Sequence, residues 1–207
     1  MNISYKAYCL GRMLLDKSYN YMTDNKHENG NEKKTQRIYN VNRGITGALY
    51  DLTYEQTYII DKIYLGNGYN ARNYYKLVDD NIGLIVNCTK EIPDYFHDHF
   101  DYYRVDVRDL NGEDIYPYLD DTVVKIHDYI DNNPLKGIFV HCFMGSSRSA
   151  TIVIAYLMKY YLYSLNDAIK FVKDKRPLIN LNTDFFSQLK SYQQFLRTLP
   201  DANLEHV

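Results

Sequence analysis

The stretch His141-Cys142-Phe143-Met144-Gly145-Ser146-Ser147-Arg148-Ser149 constrains this chain more than any other. Before it, Gly137-Ile138-Phe139-Val140 is a short apolar run with Pro134 and Gly137 behind it, the pattern of a buried strand. After it, Ala150 to Met158 stays apolar for longer than a buried strand usually runs, and reads as a core helix. A strand, a tight turn and a helix put Cys142 at the turn and lead Gly145 to Arg148 into the first helical turn. The open backbone N–H groups of a helix start, at the positive end of its dipole, make an anion site. A cysteine facing such a site ionises readily, at roughly pH 3.5–7.5 instead of about 8.5. Arg148 adds a planar fork of donors that suits two oxygens of one phosphate. A nucleophilic sulfur, an oxyanion cradle and a bidentate cation are the parts needed to attack a phosphomonoester.

Composition narrows the setting. The chain has 207 residues, which suits one domain plus an extension, and 45% of them are hydrophobic, enough for a real core. A net charge of −2 points to neither nucleic acid nor an anionic membrane. The longest apolar run falls well short of the ~20 residues a spanning helix needs. The start, Met1-Asn-Ile-Ser-Tyr-Lys, lacks the layout of a signal peptide. The three cysteines, Cys9, Cys88 and Cys142, form no even framework, so the expected setting is cytoplasmic and reducing. The 23 tyrosines, against no tryptophan, fit a composition also rich in Asn, Ile and Lys better than a set of base-stacking platforms.

Four regions follow. Residues 1–22 hold scattered apolar positions (Ile3, Tyr8, Leu10, Met13, Leu14) that allow a short amphipathic helix, weakened by Gly11. Residues 23–52 are a polar linker with little to bury, although Lys33, Lys34, Arg37 and Arg43 also offer a docking charge. Residues 53–199 are the folded domain, and 200–207 are a tail. Within the domain, Tyr58–Gly66 reads as one strand, Ile82–Thr89 as a second and Tyr102–Val107 as a third. Tyr118–Asn132 carries Leu119, Val123, Ile126 and Ile130 at helical spacing. Ser164-Leu-Asn-Asp167 opens another helix, and Asn182 or Thr183 opens the last. Strands alternating with helices predict an α/β fold, a mostly parallel central sheet flanked by helices. Ligands of such sheets sit at the carboxyl ends of strands, where Cys142 lies.

Cys142 to Arg148, with His141 before and Ser149 after, resembles the Cys-x5-Arg signature of the protein tyrosine phosphatase superfamily. The continuation Ser149-Ala-Thr-Ile-Val-Ile-Ala-Tyr-Leu-Met158 is similar to the dual-specificity phosphatases in particular. So are Ile63-Tyr64-Leu65-Gly66, Ala71, Leu77 and the stretch Arg176-Pro177-Leu-Ile-Asn-Leu-Asn182, which has leucine at 181 where the family usually has proline. The likeness covers roughly residues 56–197. It implies a phosphatase-like fold and a phosphocysteine mechanism that needs no metal or cofactor. It also implies roles: Cys142 as nucleophile, Arg148 and the amides of Phe143, Met144, Gly145, Ser146 and Ser147 as phosphate ligands. Ser149 would assist the departing thiolate, and His141 would tune the thiol from behind.

The same chemistry asks for an acid that protonates the leaving oxygen, an effect of about 10²–10⁴-fold. Asp106, Asp109, Glu113 and Asp114 are the candidates. Asp106 lies within the third strand pattern. Asp109 is the first acid after Val107 and opens a loop able to close over a substrate. The family's acid comes from the loop after this strand, which favours Asp109, with Asp114 as the alternative and a plain turn residue as the third reading. Cys88 ends a central strand, where it is either a small buried residue or a thiol placed to trap an oxidised Cys142 as a disulfide.

The loop interior, Phe-Met-Gly-Ser-Ser, is uncharged, unlike the lysine-bearing loops of the superfamily's lipid phosphatases. Arg148 is followed by Ser149, where the superfamily's RNA triphosphatases continue Arg-Thr. The missing tryptophan separates the chain from the classical tyrosine-specific enzymes. The resemblance therefore implies a phosphorylated protein as partner, with phosphotyrosine and phosphoserine/threonine both open. The alternatives are a phosphoinositide or RNA 5′-phosphate, or a phospho-binding module of little activity. For the N-terminal segment, folding back, forming a homodimer and recruiting substrate all stay open.

Overall fold

The computed structural model describes residues 55–199; the expectations for residues 1–22, for 23–52 and for the tail lie outside them. The first departure from the sequence reading comes at once. Tyr58–Gly66 is not one strand but a hairpin of β1 (Thr57–Ile60) and β2 (Ile63–Gly66), paired antiparallel. Asp61 and Lys62 turn the chain with φ of 45° and 64°, the pair of left-handed residues that a two-residue hairpin needs. Asp-Lys carries none of the Asn-Gly signal for such a turn. Tyr161 stabilises it by donating its hydroxyl to the Asp61 carboxylate.

A 3-10 turn (Asn70–Arg72) and α1 (Tyr74–Asp79) lead into β3 (Ile82–Asn87), followed by β4 (Asp101–Arg104), α2 (Tyr116–Asn132) and β5 (Gly137–His141). Three more helices end the described chain: α3 (Arg148–Tyr160), α4 (Leu165–Lys175) and α5 (Thr183–Leu196). The strand order is β1-β2-β5-β3-β4, and every pair but β1·β2 is parallel. The α/β fold with a mostly parallel sheet is thus present.

Alternation along the central strands explains the layers. Leu84, Val86, Ile138 and Val140 point into one apolar cluster with residues of α2, α3, α4 and α5. Ile82, Ile85 and Phe139 point the other way, into a smaller cluster with Ala71, Leu77 and Phe100. All residues of β3 and β5 are buried, as strands covered on both faces must be. Helix α3 is the axis of the larger layer, with every residue from Arg148 to Met158 buried. Truncating one of them, Ile154 to alanine, is expected to destabilise the fold by about 2–5 kcal/mol.

Helix ends follow local chemistry. Ser164 caps α4 by accepting the Asp167 N–H at 3.2 Å, and Asn182 caps α5 by accepting the Asp184 N–H at 2.8 Å. Helix α2 has no side chain of its own at the N-cap. Gln188 of α5 serves instead: its Oε1 accepts the N–H groups of Ile115 and Tyr116 at 2.7 and 2.8 Å. This bond set ties the segment before α2 to the last helix, and that segment carries the candidate acids.

Candidate active site

Strand β5 ends at His141, and helix α3 begins at Arg148, so Cys142 to Ser147 form the expected loop at the carboxyl end of a central strand. The loop's shape depends on where its carbonyls go. The Phe143 carbonyl accepts from Gly68 N–H at 3.2 Å, that of Gly145 from Arg176 Nε at 2.8 Å, and that of Ser146 from Asn180 N–H at 2.9 Å. The Ser147 carbonyl accepts from Thr151 N–H at 2.8 Å within the helix start. A trans peptide sets its N–H opposite its C=O, so carbonyls bonded outward turn their amides inward. Gly145 completes the turn with φ of 68°, and a Cβ there would run into the Gly66 carbonyl.

The inward amides meet the sulfur. Gly145 N–H and the Ser149 hydroxyl each donate to Cys142 Sγ at 3.2 Å. Burial alone would raise the Cys142 pKa, but the Arg148 charge, the Ser149 hydroxyl and the backbone N–H groups of Ser149 and Ser146 together hold it below the ordinary thiol value. Cys88 lies behind, also buried and also a free thiol. Burial pushes its pKa well up, with the neighbouring Cys142 adding to the effect. The surroundings of Cys88 thus oppose its ionisation, and those of Cys142 favour it.

Arg148 is nearly fully buried, and its guanidinium is fixed at two corners. Nη1 donates to the Val107 carbonyl at 3.1 Å, and Nη2 pairs with Glu91 Oε1 at 2.7 Å. Its Nε has no partner among the described residues. A buried donor without a partner is costly unless a ligand takes it, and an anion on the loop would. Glu91 went unnoticed in the sequence because it sits in the loop after β3, far from Arg148 in the chain. The loop holds it there through Asn87, Thr89 and Arg104: Thr89 Oγ1 accepts Ile92 N–H at 3.0 Å, and Arg104 Nη2 donates to the Thr89 carbonyl at 2.8 Å. Burial opposes ionisation of Glu91, but the bond to Arg148 wins and lowers its pKa.

The candidate acids separate clearly. Asp109 Oδ1 accepts from Ser147 Oγ at 2.9 Å and from Asn182 Nδ2 at 3.5 Å, which sets the carboxylate beside the loop. Asp114 instead accepts the Tyr116 N–H at the start of α2, and Glu113 accepts the Arg108 N–H. Asp106 departs from expectation: β4 stops at Arg104, so no strand fixes Asp106, which is exposed and 3.3 Å from Arg104 Nε. His141 is buried behind the sulfur with its ring stacked 5.3 Å from that of Phe139. Burial drives its pKa down to about 3, so its imidazole is neutral. Phe143 and Met144 face outward and are exposed.

Among the described residues no cluster of three or more His, Cys, Asp or Glu is arranged to hold a metal ion. No helix among them is long and apolar enough to cross a membrane. The site residues that sequence reasoning missed, Glu91 and Arg176 above all, had one available signal. Arg176 stood inside a stretch singled out for its family likeness, but only its partners in space give it a role.

Residues 63–195 match the family described as dual specificity phosphatase, catalytic domain. Protein phosphatase Slingshot of Drosophila melanogaster is 38% identical over 142 residues, 68% of this chain and 13% of that protein. Human dual specificity protein phosphatase 14 is 38% identical over 138 residues, 67% of this chain and 69% of that one. The chain spans only 10–21% of the length of the Slingshot relatives. Among solved structures, human DUSP28 superposes with a TM-score of 0.65 at 28% identity, over 69% of this chain and 95% of that one. A family match that takes in more than half of the residues, around a cysteine loop of this geometry, means that the chain belongs to the dual specificity phosphatases.

Proposed function

We propose that this chain is a cysteine-dependent protein phosphatase that hydrolyses phosphotyrosine and phosphoserine/threonine monoesters through a phosphocysteine intermediate. The observation that carries the proposal is the Cys142 sulfur, met at 3.2 Å by both Gly145 N–H and the Ser149 hydroxyl, beside a buried Arg148 whose Nε has no partner among the described residues. A phosphoryl group placed on the loop would have its three equatorial oxygens held by the amides of Phe143, Met144, Gly145, Ser146 and Ser147, those of Met144, Ser146 and Ser147 being turned inward by their bonded carbonyls, and by the guanidinium. Charge is spread over those oxygens in the transition state. Glu91 and the Val107 carbonyl fix the Arg148 plane in advance, so little orientation remains to be lost at the moment of reaction.

In the first step the Cys142 thiolate attacks phosphorus in line, the bond to the leaving oxygen breaks, and Asp109 protonates that oxygen. In the second, water attacks phosphorus, Asp109 takes its proton, and the S–P bond breaks with its electrons returning to sulfur. The Ser149 hydroxyl, already bonded to Sγ, stabilises the departing thiolate. His141, neutral and buried, orders the strand end without carrying protons. The sum is one ester and one water converted to an alcohol or phenol and inorganic phosphate.

The uncharged loop interior and the names of the relatives favour a phosphorylated protein as substrate. Thiolate chemistry suits the reducing cytoplasm. The test is a panel: phosphotyrosine, phosphoserine and phosphothreonine peptides beside a phosphoinositide and an RNA 5′-triphosphate, with wild type and Cys142→Ser. Release of phosphate from the peptides, abolished in C142S, is the expected result. A preference of tenfold or more for the lipid or the RNA overturns the protein substrate. Binding of phosphopeptide without turnover by wild type favours the phospho-binding module.

A further inference from the structure

Arg176 is the largest side chain among those fully buried, and it has no acidic partner among the described residues. Its Nε donates to the Gly145 carbonyl at 2.8 Å. Nη1 donates to Thr57 Oγ1 at 3.0 Å and reaches the Glu55 carbonyl at 3.4 Å. Its Nη2 is buried with no hydrogen-bond partner among the described residues and stands 2.8 Å from the point where a Cβ on Gly145 would sit. Burying a guanidinium against neutral oxygens alone is expensive, and structural arginines normally bring a carboxylate with them. The buried Arg148 does so with Glu91, and the half-buried Arg104 with Asp94. Burial brings the Arg176 pKa down to about 10, which leaves it charged at neutral pH, and among the described residues Cys142 is the ionisable group whose charge supports it.

The bond to Gly145 has a specific consequence. The Gly145 carbonyl and the Ser146 N–H belong to one planar peptide, so an anchor on the first aims the second. That N–H is one of the backbone groups that stabilise the Cys142 thiolate. A charged donor on the carbonyl also polarises the peptide and strengthens the bond its N–H makes on the far side.

We propose that Arg176 is a positioning residue for the loop: it holds the Gly145–Ser146 peptide with its N–H turned to the sulfur, and its uncompensated charge favours the Cys142 thiolate and a bound phosphate dianion. The negative charge that a buried guanidinium needs is supplied by the site itself, first by the thiolate and then by substrate. This rests on Cys142 being the reactive thiol.

The test is the pH dependence of Cys142 alkylation by iodoacetamide, followed on the Cys142 peptide in the full-length chain, for wild type, Arg176→Lys, Arg176→Gln and Arg176→Met. R176M and R176Q are expected to move the alkylation midpoint up by roughly half to one pH unit. R176K, which keeps the charge, is expected to stay closer to wild type. Inhibition by inorganic phosphate should weaken in the same order. An unchanged midpoint in R176M or R176Q, with a cooperative thermal transition intact, overturns the proposal and leaves Arg176 a strut. An R176K midpoint as high as that of R176M overturns the part played by charge. If R176M does not fold, R176Q carries the test, since its amide keeps a neutral donor. Alkylation needs no turnover, so a chain that shifts as expected but hydrolyses no phosphoprotein would refute the proposed function and not the role of Arg176.

Discussion

The loop that bears the sulfur and the loop proposed to bear the acid are joined by the bond from Ser147 to Asp109, and they are held in opposite ways. Cys142 to Arg148 is largely buried, and its carbonyls are tied to Gly68, to Thr151 of the helix that follows, and to Arg176 and Asn180 of the stretch between α4 and α5. Its guanidinium is pinned by Glu91 and Val107. Arg108 to Asp114 is mostly exposed and is held largely through side chains: Ser147 and Asn182 to Asp109, Lys90 to Glu113 at 3.7 Å, Gly112 N–H to Asp184 at 2.7 Å, and Gln188 to the Glu113 carbonyl at 2.9 Å. Charge develops on the phosphoryl oxygens, and donors aimed there in advance are worth most when they need not reorganise. A proton donor must reach leaving groups of different shape and then serve water, so some freedom is useful. The sulfur loop, the floor of the site, is thus fixed through its backbone, and the Asp109 segment is held at the exposed surface.

Substitutions on the two loops should therefore fail in different ways. Arg148→Lys is expected to show the largest loss of the variants that keep the sulfur, about 10²–10³-fold in kcat/KM, because a point charge cannot replace a fixed fork. The loss should be the same for aryl and alkyl phosphates; a loss confined to poor leaving groups would move Arg148 from phosphate binding to proton transfer. Asp109→Asn should cost about 10²–10³-fold in kcat with a poor leaving group and much less with a nitrophenyl phosphate. An equal loss for both would point to Asp114 or to a damaged fold. Glu91→Gln keeps an acceptor for Arg148 but removes the opposing charge, and a loss of only about three- to tenfold is expected, mostly in KM. No change in steady-state kinetics would show that Val107 and the burial of Arg148 suffice to orient it.

The smallest effect concerns pH. His141 is neutral when folded, with a pKa near 3, and binds a proton near 6.5 when unfolded. Below about pH 6.5 the unfolded chain therefore holds more protons, so this residue makes stability fall with acidification, by up to about 1.4 kcal/mol per pH unit. Above 6.5 it contributes no slope. Urea midpoints of wild type and His141→Asn across pH 5–7 measure the difference, and identical slopes would mean that His141 protonates in the folded state.

What was legible in the sequence follows the same division. The floor is continuous in the chain, so Cys142, Arg148 and Ser149 announced themselves through spacing and through the strand and helix on either side. Its supports are not continuous. Glu91, Arg176, Asn180 and Asn182 come from other segments and carry no local pattern that says what they touch. The α/β layering was readable because the apolar runs of β3 and β5 are buried on both faces. The β1–β2 hairpin was not, because its left-handed turn is made by Asp61 and Lys62 against their usual preference. The end of β4 was misjudged for a related reason: Val105 and Val107 are buried by α2 and the core beyond the sheet, which looks like a strand in sequence and is not one.

Trapping the phosphocysteine separates this mechanism from every alternative. Ser149→Ala should slow the second step more than the first, so the phosphoenzyme accumulates when a good aryl phosphate is mixed in and the reaction is quenched with acid. A burst of phenol and a phosphate adduct on the peptide that contains Cys142 are the expected result. Turnover at wild-type rates with no burst, or phosphate found on any other residue, would contradict it.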